Sequence, residues 1–100
     1  MLTMHVLSRS SLAKFWSDHP DSEEYLKAWF HEAEQANWSS FADIKARYRS
    51  ADVLPGNRVV FNIKGNHCRL VVKIHYNTKT VFIRFIGTHA EYDRIDAENK

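Results

Sequence analysis

The 100 residues of this chain are 44% hydrophobic and 26% charged, with a formal net charge of +2 at pH 7. This length and composition predict a single domain over residues 1–100 and leave no room for a second. The lone cysteine, Cys68, excludes a framework of internal disulfides. No stretch approaches the ~20 apolar residues of a membrane span, and no signal-like apolar run opens the chain. The sequence therefore predicts a cytoplasmic protein that does not associate with membranes.

The first half of the chain is predicted to form helices after a short opening strand at Met4–Ser8. Ser10 or Ser11 can cap a first helix that runs through Trp16. The next helix is predicted to start with Asp21 as its cap. The predicted apolar stripe of that helix consists of Leu26, Trp29, Phe30 and Ala33. A third, shorter helix starts at Ser39 or Ser40 and carries Phe41, Ile44 and Tyr48.

The second half of the chain is basic and alternates between polar and apolar residues. No Asp or Glu occurs from Val53 to Ala90. The bases of this segment are Arg58, Lys64, Arg69, Lys73, Lys79 and Arg84. Because apolar residues alternate with them, the pattern predicts an antiparallel sheet with one buried face and one cationic face. A cationic face of this kind suits a polyanion such as RNA, although a solvated face that prevents edge association is the simpler interpretation of any single lysine.

A hairpin turn at Gly65-Asn66 predicts the register of the first two long strands. It places Asn62 opposite Arg69 and leaves an almost wholly apolar set on the buried face, as expected for a correct register. A second turn at Asn77-Thr78 is predicted to place Arg84 opposite Val71. The buried face of the last strand would then hold Val81, Ile83 and Phe85. The outer face would hold Val60, Val71, Phe82 and Ile86, an apolar set that predicts cover by a terminal segment or a partner protein.

The string Thr88-His89-Ala90-Glu91-Tyr92-Asp93 follows the last strand. Thr88 and Glu91 have capping-box spacing, which predicts a short C-terminal helix with His89 in its first turn. His89 can exchange a proton near neutral pH, and Tyr92 can bond a phosphate oxygen or stack on a base. Alone, His89 would be interpreted as a cap-associated surface histidine; beside a basic sheet it indicates RNA chemistry.

These residues together resemble the HigB-type toxins of bacterial toxin–antitoxin modules, within the RelE superfamily of mRNA interferases. The resemblance is nearly full-length, and the closing THAEYD string after a basic strand is its most discriminating part. Further matching strings are Trp38-Ser39-Ser40-Phe41-Ala42-Asp43, Val60-Phe61-Asn62-Ile63, Gly65-Asn66, Arg69-Leu70 and Phe82-Ile83-Arg84.

The resemblance implies an α+β fold, with N-terminal helices packed on a small antiparallel sheet and a short C-terminal helix. It implies a ribosome-dependent endoribonuclease that cleaves translated mRNA and is neutralised by a HigA-like antitoxin. The catalytic residues that it carries over are Arg69, Arg84, His89 and Tyr92. The RNA-binding residues expected beside them are Asn62, Lys64, Asn66 and Lys73. Lys64 and Lys73 stand where the family pattern has small residues, so they either add RNA contacts or improve solubility.

The expected chemistry needs neither a cofactor nor a metal, because the 2′-hydroxyl of RNA can serve as the nucleophile. One alternative is a non-catalytic RNA- or DNA-binding regulatory module, whose activity would survive the loss of His89. A metallohydrolase using His67, His75 and His89 is disfavoured. His67 and His75 are eight residues apart, roughly 26 Å along an extended chain, which is too far to share one ion.

Overall fold

The computed structural model describes residues 3–65 and 67–95, and these form four helices and five strands. The strands are β1 (His5–Leu7), β2 (Asp52–Leu54), β3 (Arg58–Ile63), β4 (Cys68–His75) and β5 (Thr80–Thr88). The helices are α1 (Arg9–Asp18), α2 (Glu23–Gln35), α3 (Phe41–Arg47) and α4 (His89–Asp93), and a short 3₁₀ turn occupies Pro20–Ser22. No helix within these residues is both long enough and apolar enough to cross a bilayer.

The five strands form one sheet in the order β1-β5-β4-β3-β2. Strands β2, β3, β4 and β5 pair antiparallel with one another, and β1 pairs parallel with β5. The prediction of an α+β fold is therefore confirmed, with a mixed sheet in place of a purely antiparallel one. The parallel edge arises because three helices separate β1 from the antiparallel strands, so that β1 is not part of their sequence of hairpins.

One face of the sheet packs against α1, α2 and α3 and forms the hydrophobic core. Phe61 lies at its centre and contacts the rings of Trp29, Trp38 and Tyr48 at centroid distances of 5.3, 6.1 and 5.0 Å. Other sheet residues on this face are Val59, Ile63, Leu70, Val72, Ile74, Val81 and Ile83. The helical aromatics predicted for the core therefore pack there, on the face of the sheet that the helices cover.

The predicted register of the first hairpin is confirmed, because Asn62 pairs with Arg69 and Arg58 pairs with Lys73. The second hairpin also begins as predicted, and Val72 pairs with Ile83. A β-bulge then interrupts the pairing, so that Val71 pairs with Phe85 and not with Arg84.

This bulge corrects two sequence assignments beyond Ile83, because one extra residue inverts the side-chain alternation of all that follow. Phe85, which was predicted to face the core, pairs on the outer face, and Ile86, predicted on the outer face, packs against the core. Val60 and Val71 lie on the outer face as predicted. They are only 2% and 0% exposed within the chain itself, so no partner protein is required to cover them.

The start of α2 also differs from its prediction. Asp21 lies inside the 3₁₀ turn, and Ser22 occupies the cap position of α2. The Asp21 carboxylate instead accepts a hydrogen bond from Lys64 Nζ at 2.7 Å, and this bond lowers the pKa of Asp21. A contact between residues 43 positions apart has thus replaced the local cap. By contrast, α3 follows Ser40 and α4 follows Thr88, as predicted.

Substitution of Phe61 by alanine should lower the free energy of unfolding by about 3–5 kcal/mol, because it removes the central ring of a closed aromatic cluster. Urea denaturation followed by tryptophan fluorescence measures this loss. Val53→Ala is the control, since Val53 is 54% exposed and its truncation should change stability by less than about 0.5 kcal/mol. Equal effects of the two substitutions would contradict the placement of the core.

Candidate functional site

Arg69 lies on the outer face of β4, where its guanidinium contacts two side chains of α4. Its Nη2 atom is 3.0 Å from Nε2 of His89. Its Cζ atom lies over the ring of Tyr92, 4.9 Å from the ring centroid. The Nε atom of Arg69 is buried and makes no hydrogen bond within the described residues. Three of the four predicted catalytic residues are therefore in direct contact.

The position of α4 over Arg69 is set by a capping box at the end of β5. The Glu91 backbone N–H donates to Thr88 Oγ1 at 3.2 Å, and the Thr88 backbone N–H donates to Glu91 Oε1 at 2.8 Å. This second bond lowers the pKa of Glu91. The His89 backbone N–H also donates to the carbonyl of His67 at 3.4 Å, which joins α4 to the residue just before β4.

Gly87 makes room for this arrangement, because it is the residue of β5 that pairs with Arg69. A Cβ atom at Gly87 would lie 2.5 Å from Cζ of Phe85 and 3.1 Å from Oε1 of Glu91. A side chain here would displace the Phe85 ring and press on the capping box. The close approach of Phe85 and Glu91 therefore favours glycine at this position.

His89 is held at both of its ring nitrogens. Its Nδ1 atom is 3.0 Å from Oδ2 of Asp93, one helical turn further along α4. A guanidinium has hydrogen-bond donors only, so His89 Nε2 must accept from Arg69. Nδ1 then carries the proton and donates it to Asp93. The arrangement is thus a neutral imidazole whose basic nitrogen points at Arg69.

Asp93 was not predicted as a site residue, although it belongs to the THAEYD string. The available signal was its spacing: residues four apart on a helix lie on the same face, which places a carboxylate beside His89 once α4 is assigned. Such a carboxylate fixes the tautomer of a histidine and stabilises its protonated form.

The fourth predicted catalytic residue, Arg84, is the extra residue of the bulge in β5. It lies three residues before Gly87 and is exposed on the same strand that leads into α4. Lys73 lies on β4, where its strand partners are Arg58 of β3 and Phe82 of β5. Both bases are therefore on the sheet that presents Arg69.

The other predicted RNA-binding residues differ in their surroundings. Lys64 donates to Asp21, and its Nζ atom lies 5.9 Å from the centroid of the Tyr25 ring. Its positive charge is therefore partly neutralised by the Asp21 carboxylate. Asn62 donates through Nδ2 to the Ser50 carbonyl at 3.0 Å, whereas its buried Oδ1 makes no hydrogen bond to any described residue. Asn66 lies outside the described residues. The described residues contain no group of three or more His, Cys, Asp or Glu side chains that could hold a metal ion.

This chain matches proteins of one family across most of its length. Residues 22–95 match the family model of the HigB toxin, a RelE-like toxic component of a toxin–antitoxin system. The mRNA interferase toxin HigB of Escherichia coli K12 is 25% identical over 99 residues, which cover 97% of this chain and 95% of that protein. The mRNA interferase HigB of Escherichia coli O6:H1 is 21% identical over 94 residues, which cover 92% and 91%.

The hydrogen bonds at His89 predict that its neutral form carries the proton on Nδ1. The ¹⁵N chemical shifts of the two ring nitrogens report this directly, and His31, an exposed histidine on α2, provides the reference in the same spectrum. Asp93→Ala should raise the fraction with the proton on Nε2. A wild-type His89 with its proton mainly on Nε2 would contradict the geometry.

The Glu91 carboxyl should titrate below its ordinary pKa of 4.5, because the Thr88 backbone N–H stabilises its ionised form. A lowered pKa means that this capping interaction is fully present above about pH 4.5 and is lost as the pH falls through the lowered value. A carboxyl ¹³C titration gives the midpoint, and the amide signals of α4 should broaden or shift with it. A midpoint at or above 4.5 would show that the capping bond is absent.

Proposed function

Because this chain belongs to the HigB family of RelE-like toxins, we propose that it is an mRNA interferase that cleaves translated mRNA on the ribosome and so inhibits translation. Two matching relatives are named mRNA interferases, which supports cleavage of mRNA by this chain. The contact of Arg69 with His89, which in turn donates to Asp93, is the observation that carries the proposal. It puts a cation beside an imidazole, a pair that can stabilise phosphate charge and transfer a proton.

The proposed reaction uses the substrate's own 2′-hydroxyl as the nucleophile. The 2′-oxygen loses its proton and attacks the adjacent phosphorus, the bond from phosphorus to the 5′-oxygen breaks, and the departing 5′-oxygen takes up a proton. The products are a 2′,3′-cyclic phosphate and a 5′-hydroxyl end. No nucleophile from the protein is consumed. The protein must move protons and stabilise the charge that builds on the nonbridging phosphate oxygens.

His89 is suited to the proton transfer, because its Nε2 is unprotonated in the observed arrangement and Nδ1 donates to Asp93. When Nε2 takes the 2′-hydroxyl proton, the ring becomes cationic, and the Asp93 carboxylate stabilises that charge. Arg69 must then turn its Nη2 from His89 to the phosphate. A planar guanidinium is well suited to this exchange, since it can donate two parallel bonds to phosphate oxygens.

Arg84 and Tyr92 complete the proposed active site. Tyr92 holds the Arg69 guanidinium over its ring and thereby limits the orientations available to it. Arg84 adds positive charge on the strand that leads to α4, and Lys73 extends the basic surface along β4. Together these bases provide the attraction for the RNA backbone.

As a toxin of this kind, the chain is expected to be neutralised by a HigA-like antitoxin. Phe82 remains part of the outer face and is half-buried, with its ring 5.3 Å from that of His75. Ile86 packs toward the core, and Phe85 takes its place on the outer face. An acidic amphipathic segment of the antitoxin would therefore meet apolar and cationic side chains together on this face.

Induced expression in bacteria should arrest growth and produce cuts within translated mRNA, with 5′-hydroxyl ends that can be mapped. Co-expression of the protein encoded next to this gene should restore growth. Normal growth with intact transcripts, at confirmed levels of folded protein, would contradict the proposed function.

Arg69→Ala, Arg84→Ala and His89→Ala should each lower the cleavage rate by roughly 100-fold or more, since each removes a charge donor or a proton carrier. The matched controls are Arg49→Ala and His31→Ala, both at exposed positions, and these should cleave normally. Thermal melting checks that the variants are folded. If the wild type bound RNA without cleaving it, and His89→Ala bound RNA equally well, the non-catalytic binding module would be the better account.

A further inference from the structure

A second feature, away from His89, is a cleft of about 170 Å³ between α2 and the end of β3. It is open here because β2 pairs with β3 only as far as Val60, which leaves the last residues of β3 at the edge of the sheet. The side chains around the cleft include Tyr25, Trp29, Glu32, Tyr48, Asn62 and Lys64. Three of them are aromatic, and the other three are polar or charged.

Three buried polar atoms in the side chains around this cleft have no hydrogen-bond partner among the described residues. They are Nε1 of Trp29, a donor, Oδ1 of Asn62, an acceptor, and the hydroxyl of Tyr48, which can do either. Trp29 is only 3% exposed, and a buried polar atom without a partner is costly and uncommon in native proteins. Burial and the charge of Glu32 raise the pKa of the Tyr48 hydroxyl. The cleft therefore has both a hydrogen-bond donor and a hydrogen-bond acceptor that no described residue satisfies.

The rim of the cleft is loosely held. Tyr25 is 49% exposed, and Lys64 above its ring is held by an ion pair with Asp21 that solvent reaches on both sides. Exposed ion pairs of this kind contribute little to stability. Displacement of Lys64 would therefore cost a ligand little, and the exposed ring of Tyr25 would then be open to stacking.

We propose that this cleft binds a nucleobase of the RNA substrate, at the edge of the sheet whose outer face carries Arg69; this proposal rests on the proposed function. The edge of a nucleobase carries both donors and acceptors, which suits Trp29 Nε1 and Asn62 Oδ1, and its plane stacks on tyrosine. Asn62 is the strand partner of Arg69, and neighbouring strands lie about 4.8 Å apart. RNA bound at Arg69 on the outer face therefore has to pass around this edge of the sheet for one of its bases to enter the cleft beside α2.

The chemistry of the cleft disfavours other occupants. A phosphate or an acidic peptide would bring negative charge beside the carboxylate of Glu32, whose ion pair with Arg47 already balances it. A purely apolar ligand would leave Trp29 Nε1 and Asn62 Oδ1 without partners. A planar, uncharged group with a polar edge satisfies both conditions.

Binding of the four nucleoside 3′-monophosphates tests this proposal, with the Trp29 indole N–H signal in a ¹H–¹⁵N spectrum as the readout. The chain has three tryptophans, so the Trp29 signal is the one that disappears in Trp29→Phe. At least one nucleotide should shift it in a saturable manner, whereas ribose 5-phosphate, which has no base, should not. The indole signal of Trp16 on α1 should stay unchanged in every titration.

Variants separate base binding from a change in folding. Trp29→Phe keeps an aromatic ring but removes the donor, and it should weaken binding of that nucleotide about 2- to 10-fold. Tyr25→Ala, at an exposed position, should weaken it about 5-fold or more through lost stacking. Trp16→Phe is the matched control and should bind as the wild type does. If Trp29→Phe fails to fold, Tyr25→Ala still decides the question.

The outcomes for the cleft and for the proposed function are distinguishable. Cleavage of mRNA by a protein whose Trp29 signal responds to no nucleotide would overturn the base site and leave the interferase intact. A Trp29 shift produced only by the antitoxin would likewise overturn it, since the cleft would then belong to a protein partner. Saturable nucleotide binding without any cleavage would support the site and count against the proposed function.

Discussion

The register of β4 between β3 and β5 is the constraint on which the site depends. It places Arg69 opposite Asn62 on one side and opposite Gly87 on the other. Because Gly87 has no side chain, α4 can approach closely enough for His89 and Tyr92 to contact the guanidinium. A shift of β4 by one residue would turn Arg69 into the hydrophobic core and remove the cation from α4.

This register is in turn stabilised by the packing of the other face. Phe61 pairs with Leu70, the neighbour of Arg69, and is enclosed by aromatic rings from α2 and the segments around α3. Burial of that face therefore determines which residues the outer face presents. The same hairpin also contributes Asn62 to the cleft between α2 and β3. One cross-strand pair therefore provides Arg69 for the charged site and Asn62 for the proposed base site.

The elements that the sequence predicted well are those set by local rules. The first hairpin follows from strict alternation around Gly65, and α4 follows from the spacing of Thr88 and Glu91; both appear in the structure as expected. The contact of Arg69 with His89 then required only a correct strand register and a helix directly after β5. Family resemblance supplied the roles of these residues, which stay proposals until tested.

The features that the sequence did not predict depend on tertiary structure. A bulge adds one residue without changing composition, so the inversion of Phe85 and Ile86 left no mark in the alternating pattern. Asp21 has good capping chemistry, but a distant lysine, Lys64, binds it in the folded chain. The unmet polar atoms of the edge cleft are likewise invisible in a sequence, because Trp29 lies in an ordinary apolar stripe of α2.

The central claim is that Arg69 and His89 act as one unit in cleaving RNA, and a double-mutant cycle tests it most directly. Single-turnover cleavage of mRNA on ribosomes is measured for the wild type, Arg69→Ala, His89→Ala and the double variant. Residues that act together are not additive in their effects on rate. The account predicts that the double variant is about as slow as the slower single variant. A rate loss equal to the product of the two single losses would show that the residues act independently and would contradict the account.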